Sequence, residues 1–363
     1  MEIQSHFAGL SHKEIFRLDR DYAQAAKIIR LSYVNDLTPG ISRVRKGKGF
    51  AFFDVKKKAI PSGSLMRIKK LAIPPAWTNV WICAKEDGHI QATGYDLRKR
   101  KQYRYHELWN AARNETKFHR LYEFGKALPI LRSRLQTDLS KKTLCRNKVI
   151  ATVISVMERT YIRIGNDEYE KIYGSYGMTT LKDGHVEIAG SELKFSFVGK
   201  KGIDHAITLK NKRLAKIVKQ CRDIPGKELF QYYDEDGFRH PIDSGMVNDY
   251  IKETLQAEFT AKDFRTWAGS LNLLQCLKTI GDHSNETECK KNILKALDQV
   301  SSKLGNTRSV CRKYYVHPQL IHFYETKSLA KYFSAANSNI VESEYALAEE
   351  EVILMKILKS INA

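Results

Sequence analysis

The strongest constraint on the fold is a change of hydrophobic period part-way along the chain. Between Gly49 and Asp96, short β-prone runs alternate with turn signals; from Trp109 onward apolar residues recur at helical spacing. Residues 50–55 read as a strand. Residues 80–84 and 89–93 flank Glu86-Asp87-Gly88, a hairpin signal. Pro61 and Pro74-Pro75 interrupt any long helix here. Upstream, residues 13–35 read as an opening helical region that ends at Leu37-Thr38-Pro39-Gly40. Downstream, residues 115–138 place Leu121, Phe124, Leu128, Leu131 and Leu135 at helical spacing, and residues 146–161 do the same with Val149, Val153, Ile154 and Met157. A β island follows, with strands at 177–181, 185–188, 193–198 and 206–209 and turns at Lys182-Asp183-Gly184 and Gly199-Lys200-Lys201-Gly202. Residues 211–222, 244–258, 264–280, 287–303 and 318–333 read as helices, and the last 25 residues as an amphipathic, acidic packing helix. The pattern predicts an α+β protein: a small β-rich N-terminal domain and a larger, mostly helical domain with a small sheet. The length of 363 residues fits two or three domains.

Lys and Arg total 61 against 41 Asp and Glu, a formal net charge of +20. Such an excess points to a polyanion, above all nucleic acid, with acidic proteins or anionic membrane as the other partners of this class. No apolar run is long enough to span a bilayer. Met1-Glu2-Ile3-Gln4-Ser5 lacks the cationic start and apolar core of a signal peptide, which predicts a cytoplasmic or nucleoid-associated protein. The six cysteines are scattered without a Cys-x-x-Cys pair, so they are expected to stay reduced and hold no zinc.

Between the two periodic regions runs Arg98-Lys99-Arg100-Lys101-Gln102-Tyr103-Arg104-Tyr105-His106. On an extended chain Tyr103 and Tyr105 share one side, with Arg104 opposite. Interleaved aromatic and cationic side chains suit phosphates and base edges; the other reading is a solvated linker.

Near the end of the chain, Leu304-Gly305-Asn306 leads, nine residues on, to Tyr315 in Arg312-Lys313-Tyr314-Tyr315. A phenol has an unperturbed pKa of about 10 and attacks poorly at neutral pH unless cations surround it and its target. Three further cations stand out. Arg163 follows an apolar helix in Tyr161-Ile162-Arg163-Ile164-Gly165, where a half-buried guanidinium needs an anion or a structural salt bridge. Lys200 lies at a hairpin tip, where it either reaches a ligand or is simply solvated. Arg265 shares a helix face with Lys262, in a segment that Thr260 or Asp263 can cap.

In chain order these residues are Arg163, Lys200, Arg265, Asn306 and Tyr315, and here the sequence resembles the type IB DNA topoisomerases, in their compact poxvirus-like bacterial branch. The motifs are Ile162-Arg163-Ile164-Gly165, Phe197-Val198-Gly199-Lys200, Phe264-Arg265-Thr266-Trp267, Gly305-Asn306-Thr307 and Arg312-Lys313-Tyr314-Tyr315. In the N-terminal half, Arg67-Ile68, then Leu71-Ala72-Ile73-Pro74-Pro75-Ala76-Trp77, and Arg100 to His106 resemble that family's DNA-clamping domain and the junction after it. The resemblance spans roughly residues 15–335. It implies a DNA-clamping domain over 1–106 and a catalytic domain of the tyrosine recombinase/topoisomerase IB type over 107–363. It also implies relaxation of supercoiled duplex DNA through a 3′-phosphotyrosyl intermediate on Tyr315, without ATP, metal or other cofactor, by a monomer. Arg163 and Arg265 then bind the non-bridging oxygens, Lys200 protonates the leaving 5′-oxygen, and Asn306 adds a donor. Poxvirus enzymes carry histidine where Asn306 stands; an amide donates a hydrogen bond but shuttles no proton. Arg67, Gln102, Tyr103, Tyr105, Tyr169, Lys262 and Arg312 are the implied DNA contacts. A tyrosine recombinase or integrase shares the Arg-Lys-Arg-Tyr set, but places histidine three residues before the second arginine, where this chain has Lys262.

Overall fold

Glycine and proline cut the first hundred residues into strands too short to stand alone, and they are stabilised by pairing into one sheet. In the computed structural model, which describes residues 14, 21–47, 49–97, 99–334 and 345–362, the chain divides into two units, Met1–Arg120 and Leu121–Ala363. The first residues of the opening helical region (13 and 15–20), Arg98 of the basic strip, and residues 339–344 and 363 of the terminal helix lie outside the described residues. The resemblance puts the domain boundary at 106/107; the units part at Arg120, within a helix that begins at Glu107.

In the N-terminal unit, strands β1 (Ile41–Lys46), β2 (Gly49–Phe53), β3 (Thr78–Ile82), β4 (Ile90–Tyr95) and β5 (Lys101–Tyr105) form an antiparallel sheet in the order β2-β1-β3-β4-β5. The hairpin at Glu86-Asp87-Gly88 joins β3 to β4 as the sequence predicts. The basic strip becomes β5, and charge and aromatic rings on an edge strand discourage further pairing. Helix α1 (Tyr22–Ile28) packs Ala25 and Ala26 with Ile29, Trp109 and Ala112. Helix α2 (Ser62–Lys70), not predicted, fits between the prolines because Pro61 is its N-cap rather than a break. Its Ile68 joins Ile41, Val80, Ile82 and Ala92 in the sheet's core.

Helix α3 (Glu107–Leu139) runs through Pro129 without a break, and α4 (Arg146–Thr160) is buried along most of its length. Helices α5 (Asp167–Tyr173), α6 (Lys212–Arg222), α7 (Ser244–Leu255), α8 (Ala261–Ile280), α9 (Glu286–Leu304) and α10 (Arg308–Tyr314) follow; α4 packs against α6 and α7, and α9 against α8 and α10. Strands β6 (Val186–Ala189), β7 (Glu192–Gly199) and β8 (Ile203–Lys210) form an antiparallel sheet, with Leu193, Phe195 and Phe197 of β7 buried at alternate positions. The predicted strand at 177–181 is instead a 3₁₀ turn, Met178–Thr180. Its amides bond to a loop, Met178 N–H to the Arg163 carbonyl and Thr179 N–H to that of Ile164, both at 2.7 Å, so no ladder propagates. The helix predicted over 318–333 is two, α11 (Pro318–Glu325) and α12 (Ala330–Ser334), parted at Lys327, whose φ is 55°. Unpredicted β9 (Gln231–Tyr233) and β10 (Arg239–Pro241) form a small hairpin. The acidic terminal segment forms α13 (Glu349–Asn362).

Glu351 ties α13 to the core of the second unit. Its two oxygens accept from the Arg132 Nη atoms at 2.8 and 2.9 Å and from Trp267 Nε1 at 3.0 Å, while Glu158 meets Arg132 at 2.8 Å. Burial pushes the Glu351 carboxyl up, but Arg132 outweighs it and holds the group below the ordinary carboxylate range. A depressed folded pKa stabilises above the unfolded value and is lost as pH falls through the folded one. Glu351→Ala is expected to lower the free energy of urea unfolding by about 3 kcal/mol, because it leaves Arg132 half-compensated, whereas breaking the exposed Lys290–Glu286 pair changes it little. The gap between wild type and Glu351→Gln should be full at neutral pH and shrink once pH falls below the usual glutamate range.

Candidate active site

The last carbonyls of a helix lack intrahelical donors and carry the negative end of its dipole. Helix α4 is capped by Tyr161 (φ 58°) and α9 by Gly305 (φ 55°), both left-handed. Two of the predicted cations turn onto these ends. Arg265 donates from Nη1 to the Tyr161 carbonyl and from Nη2 to the Leu304 carbonyl, the latter at 2.7 Å. Arg163 donates from Nη2 to the Gly305 carbonyl at 3.2 Å and to Asn306 Oδ1 at 2.6 Å. Arg265 is only 5% exposed, and its Nε has no hydrogen-bond partner. Among the described residues no carboxylate forms an ion pair with either guanidinium. Burial, and then Arg265, push Arg163 down to about 10, with Tyr315 and Cys311 pulling the other way; it remains charged at neutral pH.

Helix α8 positions both Arg265 and the nucleophile candidate. It starts at a capping box in which the Thr260 N–H donates to Asp263 Oδ2 at 2.8 Å. The Arg265 guanidinium lies 5.2 Å from the centre of the Tyr315 ring. One turn on, Gly269 meets the Tyr315 backbone, and Ser270 Oγ donates to the Tyr315 carbonyl at 3.3 Å while accepting from the His317 N–H at 3.0 Å. Tyr315 is thus half-buried at the end of α10, whereas Tyr314 is 44% exposed beside Lys313. Cys311, buried under the two arginines, has its thiol pushed up to about 11 by burial, which argues against a thiolate nucleophile.

Lys200 stands exposed at the β7–β8 turn, its Nζ 5.2 Å from the centre of the Tyr169 ring. Arg163, Tyr169 and Lys200 line one cavity of about 200 Å³. Direct contacts therefore join Arg163 to Asn306 and Arg265 to Tyr315, and Lys200 shares the Arg163 pocket. Lys262 is exposed one turn before Arg265, and Arg312 is exposed on α10. Within the N-terminal unit, Tyr103 and Tyr105 stack at 5.7 Å and stay exposed. Gln102 Nε2 donates to Asp96 at 3.0 Å. Arg67 turns inward, its Nη atoms bonded to Gln91 Oε1 at 2.5 Å and the Cys83 carbonyl at 2.7 Å. Gly269, Ser270 and His205 were not singled out from sequence; the Gly-Ser pair inside an apolar helix was the available signal for the first two.

Residues 99–339 match the family described as "Eukaryotic DNA topoisomerase I, catalytic core", and residues 49–96 match "Bacterial DNA topoisomerase IB, N-terminal domain". The chain belongs to the type IB DNA topoisomerases. It is 34% identical over 298 residues to DNA topoisomerase 1B of Acanthamoeba polyphaga mimivirus, covering 80% of this chain and 88% of that relative. It is 25% identical over 240 residues to DNA topoisomerase 1B of Vaccinia virus (strain Copenhagen), covering 65% and 72%. DNA topoisomerase 1 beta of Arabidopsis thaliana matches at 28% over 162 residues, 44% of this chain and 17% of that protein. The N-terminal match points to the bacterial branch. This type IB topoisomerase is an isomerase acting on DNA, and a strand-exchanging recombinase is not favoured. Among the described residues no helix is long and apolar enough to cross a membrane.

Glycine to alanine inside a helix ordinarily stabilises it by about 1 kcal/mol. At Gly269 the added methyl would lie 2.5 Å from the Tyr315 carbonyl oxygen and 2.8 Å from its Cβ. Gly269→Ala is therefore expected to slow plasmid relaxation by the topoisomerase on the order of 10²-fold through displacement of Tyr315, with duplex affinity retained. Wild-type relaxation by this variant would show that Gly269 does not set the tyrosine.

Proposed function

We propose that Tyr315 is the nucleophile of this type IB topoisomerase and that Arg163, Lys200, Arg265 and Asn306 complete its catalytic set. Tyr315 Oη loses its proton and bonds to the phosphorus of a DNA phosphodiester, and the bond to the 5′-oxygen breaks. A 3′-phosphotyrosyl link and a 5′-hydroxyl result. After the duplex rotates, the 5′-hydroxyl attacks back. One ester replaces another, so no ATP is needed. The observation that carries these roles is the pair of guanidiniums sharing one site with no carboxylate among the described residues, one against the Tyr315 ring and the other against Asn306. Fixed cations around a developing phosphorane charge supply electrostatic stabilisation. Lys200 protonates the leaving oxygen, since lysine releases a proton where arginine does not. Asn306 turns Oδ1 to Arg163; one Nδ2 hydrogen points to the Leu304 carbonyl at 3.5 Å, and the other is the donor offered to a phosphate oxygen.

Tyr169, Lys262 and Arg312 are assigned to DNA near this site, and Gln102, Tyr103 and Tyr105 to DNA at the N-terminal unit. Arg67 serves there as well by bracing the sheet, its guanidinium being bonded inward. The net charge of +20 supports a monomer that prefers supercoiled duplex DNA and stays with the nucleoid, with affinity falling steeply in salt.

Purified protein should relax supercoiled plasmid without ATP and in EDTA. Tyr315→Phe should abolish relaxation while duplex binding persists, and Tyr314→Phe should remain active. The adduct trapped on a nicked suicide duplex should sit on the 3′-phosphate. A dead Tyr314→Phe with a live Tyr315→Phe, or an adduct on the 5′-phosphate, would reverse the assignment.

A further inference from the structure

His205 of β8 stands opposite Phe197 of β7, and the two rings stack at 4.9 Å with an interplanar angle of 19°. Two glycines, each immediately before a proposed catalytic residue, close on the same imidazole. A methyl built on Gly199, before Lys200, would lie 2.6 Å from the ring's Cδ2 and Nε2. One built on Gly305, before Asn306, would lie 2.3 Å from Cε1. The left-handed backbone of Gly305 favours glycine in any case. Gly199 has no such requirement: beyond His205, the nearest atom to its added methyl is the Ile203 carbonyl oxygen at 3.4 Å. The imidazole alone accounts for glycine at 199.

We propose that His205 is a positioning residue, a flat wedge seated between Gly199 and Gly305 that sets the spacing of the Lys200 hairpin from the Asn306 helix end. This rests on the assignment of Lys200 and Asn306 made above. The charged groups around the ring are Arg163 and Arg265, with Asp204 on its own strand; Phe197 covers one face. Burial, and then the two arginines, hold the imidazole below its ordinary range, against Asp204. The wedge is therefore neutral at neutral pH and adds no third cation beside the arginine pair.

The test is a mutant cycle in the full chain, read as single-turnover cleavage of a nicked suicide duplex and as affinity for an uncleavable duplex. His205→Ala and Gly199→Ala are each expected to slow cleavage on the order of 10²-fold without changing duplex affinity. Gly199→Ala/His205→Ala should cleave about as slowly as His205→Ala alone, not with the product of the two losses, because the new methyl enters space the ring has vacated. His205→Gln, flat and neutral, should recover part of the loss and keep the shape of the wild-type pH–rate profile. Fully additive losses in the double variant, or wild-type cleavage by His205→Ala, would overturn the wedge. A lost limb of the pH profile in His205→Gln would overturn it too, by making His205 a proton carrier. Lys200→Ala and Asn306→Ala are measured alongside: wild-type cleavage by either removes that residue's assignment and takes the wedge's role with it, a pattern distinct from additivity.

Discussion

One buried and one half-buried guanidinium face one site, and among the described residues what compensates them is not a carboxylate but the carbonyl ends of two helices. Each helix end is worth roughly half a negative charge. That is enough to hold a cation and too little to neutralise the pair. The site keeps a positive surplus that a phosphodiester can complete. Arg132, in the same unit, shows the contrast: two glutamates meet its guanidinium, and nothing is left over for a ligand. The same side chain is a structural strut in one place and a proposed anion receptor in the other, and the difference lies in what faces it.

This compensation dictates much of the surrounding architecture. Helices α4 and α9 have to end at the site, so each finishes in a left-handed residue that turns the chain away. Helix α8 has to bring Arg265 to both ends at once, and its next turn carries the two small residues against which the Tyr315 backbone rests. Asn306 follows the α9 cap directly, so the geometry that orients Arg163 also orients the amide.

The order of the polar motifs was legible in the sequence because chemistry fixes residue types, and the helices were legible because a buried stripe repeats at a fixed period. What the sequence concealed was decided by contacts across long separations. The stretch at 177–181 has strand-like composition, but its hydrogen-bond partners are loop carbonyls at 163 and 164, so it turns. Arg67 is a DNA contact implied only by the resemblance, and its bonds to Gln91 and the Cys83 carbonyl, across 24 and 16 residues, are not written in the sequence. Helix α2 was hidden by a proline that caps it. His205 carried no local signal, since a histidine on an alternating strand looks like any half-buried side chain until the two glycines are seen to close on it. Of the tyrosine pair, the sequence sets Tyr315 nine residues after Asn306, and the structure gives the two rings different surroundings: Tyr315 beside Arg265, Tyr314 exposed beside Lys313.

The bond between Trp267 and Glu351 joins residues 84 apart in sequence. During synthesis, helix α8 leaves the ribosome long before the carboxylate that fastens Trp267 and Arg132. Every side chain proposed for the chemistry has been made by Tyr315, yet the clasp on α8 arrives only with α13. Translation order thereby makes the brace on α8 through Trp267 form only after the residues proposed for the chemistry have been made.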